Sequence, residues 1–240
     1  MAKSMRPTTD DAKDIEEQRS SDEDVAAFLK RTQSVAPHAG DGRLIFAMDA
    51  TMSRQPTWDM ALQLQGDMFA AVDEIGGLDV QLIYFRGFGE CRASKWVNDA
   101  SALARVMSQV SCRGGYTQIG KVLTHAKRET GKQKVNAVVY VGDCMEESID
   151  ALCQKAGELG LLGVPVFLFQ EGREPRAQVA FKEIARLTKG AYCPFDAGAA
   201  HQLRALLKAV AVYASGGRKA LQSFSAREGG AATQLLEQMG

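Results

Sequence analysis

The feature that most constrains this chain is a repeated alternation of buried-strand and amphipathic-helix patterns from about Arg43 onward. The run "RLIFAMD" (43–49) is apolar without a polar alternate, the pattern of a strand covered on both faces in a parallel sheet. "PTWDMALQLQGDMFAAVDEIGG" (56–77) then reads as a helix, with Pro56 near its start, Gly76-Gly77 at its end, and Trp58, Ala61, Leu64, Met68, Val72 and Ile75 on an inner face. "LDVQLIYFR" is a second strand, and "ECRASKW" returns after a short glycine-containing turn as an antiparallel partner. "DASALARVMSQV", capped by Asp99 or Ser101, and "TQIGKVLTHAKRET" are helices separated by the glycine loop "SCRGGY". The rest repeats the scheme: strand "NAVVYVGD", helix "SIDALCQKAGELG", strand "VPVFLFQ", helix "REPRAQVAFKEIARLTKG", short strand "AYCPFD" and closing helix "GAAHQLRALLKAVAVYASGG". This order predicts a doubly wound α/β fold. Its central sheet is mostly parallel, with helices on both faces and one antiparallel edge strand.

The flanks differ from this core. Residues 1–40 are polar and acidic, apart from one short amphipathic helix in "SSDEDVAAFLKRTQS". Ser20 or Ser21 caps it, acids fill its first turn, and Lys30 and Arg31 its last. "APHAGDGR" reads as a linker, residues 41–217 as the folded domain and residues 218–240 as a C-terminal tail with at most a weak helix in "AATQLLEQMG".

Open α/β sheets bind ligands outside the carboxyl ends of their strands, and three loops bring chemistry to that edge. The first, "DATMSR", carries Asp49, Thr51 and Ser53; "RGGYTQ" offers Thr117; "YVGDCMEES" offers Asp143. Two carboxylates and three hydroxyls are all-oxygen donors, a set suited to a hard cation such as Mg²⁺. Taken singly, each has a plainer explanation. Ser53, Thr51 or Thr117 can cap a helix and Asp49 can tie its own loop, while Asp49 can also be read as a phosphatase nucleophile. Glu146 and Glu147 read as facing solvent ahead of binding metal, and Cys112 and Cys144 as incidental to the loops. His38, His125 and His201 show no ligand spacing and read as surface or partly buried residues.

Composition narrows the function classes. Lysine plus arginine (29) equals aspartate plus glutamate (29), so no basic excess points to nucleic acid. No apolar run reaches the ~20 residues of a membrane span, and the N-terminus lacks the apolar stretch of a secretory signal. Five scattered cysteines without a C-x-x-C pair fit reduced thiols in a cytoplasmic protein rather than a disulfide framework or zinc ribbon.

"DATMS" resembles the D-x-[S/T]-x-S motif of von Willebrand factor A (VWA) domains of the intracellular, bacterial type. Thr117 after "RGGY" resembles that family's second-loop threonine, and Asp143 after "VVYVG" its third-loop aspartate. The three elements stand in the family's order, and the strand–helix series from about Arg43 to Ser215 resembles the whole domain. The resemblance implies a metal-ion-dependent adhesion site (MIDAS). Residues matching Thr51, Ser53 and Thr117 would ligate Mg²⁺ (or Mn²⁺ or Ca²⁺), and those matching Asp49 and Asp143 would act largely through water. The partner implied is a protein presenting an Asp or Glu, and the module is non-enzymatic. Three departures stand out: Thr51 for the commoner serine, Met52 where glycine is frequent, and Gly142 and Cys144 around Asp143 where Thr-Asp-Gly is common. The rival resemblance is to haloacid-dehalogenase-like phosphohydrolases, Mg²⁺-dependent with Asp49 as nucleophile. Their first motif needs a second acid two residues on, where this chain has Thr51, which cannot shuttle a proton near neutral pH. "GYTQIGKV" has phosphate-loop spacing, but Val122 replaces the metal-binding hydroxyl and no strand precedes it.

Overall fold

The computed structural model describes residues 42–71, 77–196 and 198–239. The expected N-terminal helix, the linker before Gly42, His38, and the inner-face positions Val72 and Ile75 lie outside the described residues. A six-stranded sheet forms the centre, in the order β3-β2-β1-β4-β5-β6. Its strands are β1 (Gly42–Asp49), β2 (Leu78–Arg86), β3 (Glu90–Val97), β4 (Ala137–Gly142), β5 (Val166–Glu171) and β6 (Ala191–Phe195). All neighbours pair in parallel except β2 and β3, which form the antiparallel edge. The doubly wound α/β architecture with one antiparallel edge strand is therefore the fold of this chain.

Each face of the sheet is sealed by its own helices, and the apolar strands are continuous because both faces are buried. In β1, Leu44, Phe46 and Met48 pack to one side, while Ile45 and Ala47 pack to the other. The first side is covered by α1 (Gln55–Ala70), α2 (Ala100–Met107), α6 (Ala200–Glu228) and α7 (Ala231–Gln238). The second is covered by α3 (Ile119–Lys132), α4 (Ile149–Leu161) and α5 (Pro175–Thr188). Trp58, Ala61, Leu64 and Met68 are buried along α1, the inner face read from their spacing. Asp99 caps α2 by accepting from the Ala102 amide at 2.7 Å.

The chain after Gly217 differs from the tail expected of it. Gly217 breaks the helical geometry with φ 69°, yet the helix resumes through Glu228 and a further helix follows. Leu221, Phe224, Ala232, Leu235 and Met239 are buried in the same core as Leu44 and Phe46. The reason is edge protection as well as burial. Gln238 Oε1 accepts from the backbone amide of Tyr192 on edge strand β6 at 2.9 Å, a donor that an uncovered edge would offer to another chain. Leu235 is fully buried, so Leu235→Ala is expected to lower unfolding free energy by about 2–4 kcal/mol. Urea denaturation measures this, and a change within about 0.5 kcal/mol would show that the C-terminal helix adds nothing to the core.

Candidate metal centre

β1 and β4 lie side by side at the point where the chain stops building the sheet in one direction and starts in the other. That switch point opens the crevice in which α/β sheets bind ligands. Met48 of β1 pairs with Val141 of β4. Asp49 ends its strand and Asp143 follows the end of the neighbouring one, so pairing alone brings the two carboxylates to one place.

After Asp49 the chain turns tightly. Ala50 is held on both sides, its amide donating to Phe85 O at 3.0 Å and its carbonyl accepting from the Arg113 amide at 2.9 Å. The Thr51 amide donates to Asp49 Oδ1 at 2.7 Å. Thr51 Oγ1 lies 3.4 Å from Ser53 Oγ, and Ser53 Oγ donates to Asp143 Oδ2 at 3.4 Å. Asp49, Thr51, Ser53 and Asp143 thus form one contiguous oxygen cluster. Asp49 Oδ2 and Asp143 Oδ1 are buried and have no hydrogen-bond partner. An orphaned carboxylate oxygen is costly, and two in one crevice fit a cation-binding site made of hard donors. Among the described residues there is no group of three or more His, Cys, Asp or Glu side chains placed to hold an ion. A set with only two carboxylates and three hydroxyls lies outside that description.

Thr117 stands apart from the cluster. Its Oγ1 donates to Glu146 Oε2 at 2.7 Å and its amide to the same oxygen at 3.1 Å. Glu146 and Glu147, read from the sequence as facing solvent, are engaged instead. Glu147 accepts from the amides of Ile119 and Gly120 at 2.5 and 2.9 Å, satisfying the first turn of α3. These bonds join residues 27 to 29 apart, beyond what local spacing reveals.

The capping alternatives fail one by one. Thr51 precedes the short turn Met52–Arg54 without a side-chain cap bond, and Arg54 sits at the start of α1, also without one. Gln118, not Thr117, is the cap residue of α3, and its side chain makes no cap bond. The nucleophile reading meets a steric objection: Asp49 is 1% exposed, with one oxygen locked on the Thr51 amide.

Arg54 escaped notice in the sequence. It is buried, pairs with Glu171 at the end of β5, and places Nη1 3.9 Å from Asp143 Oδ2. Thr57 Oγ1 donates to the same Glu171 carboxylate. The signal was available only as an arginine directly after the motif. The surroundings of the cysteines in these loops favour the thiol over the thiolate. Burial first, then nearby carboxylates, pushes Cys112 up to about 11 and Cys144 higher still.

No family model matches the sequence, and no curated protein matches it. Solved structures do match. A von Willebrand factor type A protein from Catenulispora acidiphila superposes with a TM-score of 0.56 and 14% identity, over 73% of this chain and 43% of that one. The SpRpn10 VWA domain gives 0.53 and 11%, over 66% and 90%. Proximal thread matrix protein 1 from the mussel byssus, solved with a zinc-occupied MIDAS motif, gives 0.56 and 16%, over 72% and 45%.

The fold is that of a VWA domain. The chain spans less than half the length of the first and third of these proteins, and at such identities the likeness is one of fold.

Within this VWA fold, Asp49 carries the clearest electrostatic signature. Burial raises its carboxyl to about 6; hydrogen bonds from Thr51 oppose the rise, and Asp143 adds to it. Below about pH 4 folded and unfolded chains both hold the proton and the residue costs nothing. Between about pH 4 and 6 the unfolded chain ionises freely while the buried carboxyl keeps its proton, so stability falls across that window and the loss is complete once the pH has risen through about 6. Asp49→Asn keeps an oxygen for the Thr51 amide and removes the charge. With chelator at pH 7 it is expected to be more stable than wild type by about 2 kcal/mol, the gap closing toward pH 4. Thermal or urea unfolding across that range tests this; a wild type at least as stable at pH 7 would contradict it.

Proposed function

We propose that the chain is a protein–protein interaction module in which Asp49, Thr51, Ser53, Thr117 and Asp143 hold a divalent cation that bridges to a partner's carboxylate. The observation carrying this reading is the pair of buried, unpartnered oxygens, Asp49 Oδ2 and Asp143 Oδ1, at the ends of adjacent strands. Two carboxylates that share a crevice repel, and a cation between them turns that repulsion into attraction. Mg²⁺ is the cation the oxygen donors suit, with Mn²⁺ or Ca²⁺ as alternatives. The zinc-occupied site in a protein of similar fold supports divalent binding at this edge.

When bound, the cation supplies a positive charge that hydroxyl ligands leave under-compensated, so that an outside anion completes its shell. The chain's own residues divide the work. Asp49 and Asp143 provide negative charge from rigid strand ends. Thr51 and Ser53 provide neutral oxygens from a turn pinned by the Ala50 backbone bonds. Thr117 offers a third hydroxyl once its bond to Glu146 opens. The carboxylate of Glu146 thus competes with the cation for the same threonine hydroxyl.

The surroundings favour a protein partner over a small molecule. Met52, Phe88 and Tyr116, exposed by 64%, 73% and 58%, rise from loops at this end of the sheet. Phe88 and Tyr116 meet edge to face at 5.3 Å, and their loops are joined by the Tyr116 amide donating to Gly87 O at 3.1 Å. Exposed aromatic and methionine side chains beside a charged point are the makings of an interface. The described residues include no helix long and apolar enough to cross a membrane, and all five cysteines are free. An intracellular setting is proposed together with this role.

Calorimetry decides the metal question. Mg²⁺ or Mn²⁺ is expected to bind the wild type, and Asp49→Ala and Ser53→Ala more weakly by roughly tenfold or more. Affinity capture with and without chelator is expected to recover a partner only with metal. Equal metal binding by wild type and variants would refute the site, and capture indifferent to chelator would refute its role.

A further inference from the structure

A second cluster of charge lies away from the metal crevice, on the face covered by α3 and α4. Lys121, Thr124, His125 and Arg128 of α3, with Lys155 of α4 and Glu147, line a cavity of about 420 Å³. The cations there are bound differently from others nearby. On the same helix, Lys127 pairs with Glu158 at 2.8 Å and Lys132 with Glu129 at 2.6 Å. Within the cavity, Lys121 Nζ donates to Gly89 O and Gln118 Oε1, both at 2.7 Å. Lys155 Nζ donates to Thr124 Oγ1 at 2.8 Å, and Arg128 Nη2 to His125 Nδ1 at 2.9 Å. Among the described residues these three cations are bonded only to neutral acceptors. Their direct hydrogen bonds leave their charge in place, although Glu158 lies near enough to Lys155 to feel it.

The remaining walls offset them only in part. Glu147, the one carboxylate in the lining, spends its oxygens on the amides of Ile119 and Gly120. Arg128 has only donors, so His125 Nδ1 must accept, and the imidazole is the neutral tautomer whose Nε2–H donates to Gln81 Oε1 at 2.8 Å. His125 therefore acts as a strut that fixes the guanidinium. Arg128 keeps most of its five N–H groups free of the bond to His125, and Lys155 keeps two of its three.

We propose that this cavity binds a small phosphate-class anion carrying at least two negative charges. Three cations on neighbouring helices with unused donors match phosphoryl oxygens, which accept several charge-assisted hydrogen bonds at once. The volume exceeds what a single oxyanion needs and falls within the range of small-ligand pockets, so a diphosphate is favoured over a monophosphate. The site needs no metal and does not depend on the crevice between β1 and β4.

The test uses the full chain, chelator-treated, at low ionic strength, with inorganic phosphate and pyrophosphate as probes in isothermal titration. Saturable binding is expected, with pyrophosphate tighter than phosphate by roughly tenfold. Lys155→Met and Arg128→Gln should each weaken pyrophosphate by about fivefold or more, while Lys127→Gln, outside the cavity, leaves it unchanged. Absence of saturation would overturn the site. Equal losses in Lys127→Gln and the cavity variants would reduce it to diffuse surface charge and overturn it as well. Equal affinity for the two probes would overturn the preference for a diphosphate.

Discussion

The functional end of this molecule depends on one constraint: two aspartates sit at the ends of adjacent parallel strands, and the strands cannot move apart. Pairing of β1 with β4 through Met48 and Val141 sets the separation, and burial on both faces of the sheet sets the dielectric. An ionised Asp49 in this position is costly, as its raised pKa records. A fold that keeps such an arrangement either leaves the cost unmet or offsets it with positive charge. The protein supplies some of that charge itself. Arg54 Nη1 approaches Asp143 while pairing mainly with Glu171. Its Nε and Nη2 are buried and unpartnered, so its hydrogen-bonding capacity is only partly used. The crevice is therefore incompletely compensated on both sides of its charge balance, which is the condition under which an incoming ion and an incoming anion each find something to complete.

The strand pattern was legible because both faces of the sheet are buried, so apolar runs such as 43–49 announce themselves without any partner. Asp49 and Asp143 were legible for the same reason: a carboxylate directly after such a run must sit at a strand end. Thr51 and Ser53 followed from their spacing to Asp49. Their role as caps was open in the sequence and closed by geometry, since the helix starts they precede take no bond from their side chains. Thr117 was placed at the right edge, but its commitment to Glu146 was not readable. That bond joins two loops whose approach depends on how the chain winds after β2 and β4.

The same limit explains Glu147 and the C-terminal helices. A capping residue is normally sought within three positions of the helix it serves. Glu147 caps from 27 and 28 residues away, so local rules assigned it to solvent. In the C-terminal segment the apolar residues are sparse and set among small ones, which in isolation does not sustain a helix. Packing against the first face of the sheet and the bond from Tyr192 to Gln238 supply what propensity lacks. Tertiary contact overrode a weak local signal in both cases.

The loop from Asp143 to Glu147 joins these themes. At its start Asp143 faces the crevice with Ser53 and Arg54. Its third residue, Met145, is buried in the second core. Glu146 then holds Thr117, and Glu147 fastens the first turn of α3. Five residues thus tie β4 to the helix that carries Lys121, His125 and Arg128. Gly120 has little room beside this fastening, because a Cβ there would lie 3.0 Å from Glu147 Oε2. A displacement of Thr117 away from Glu146 therefore acts on a short loop anchored by a buried methionine and by two amide bonds to α3. The crevice between β1 and β4 and the cation-lined cavity differ in chemistry, yet residues of this one loop reach both.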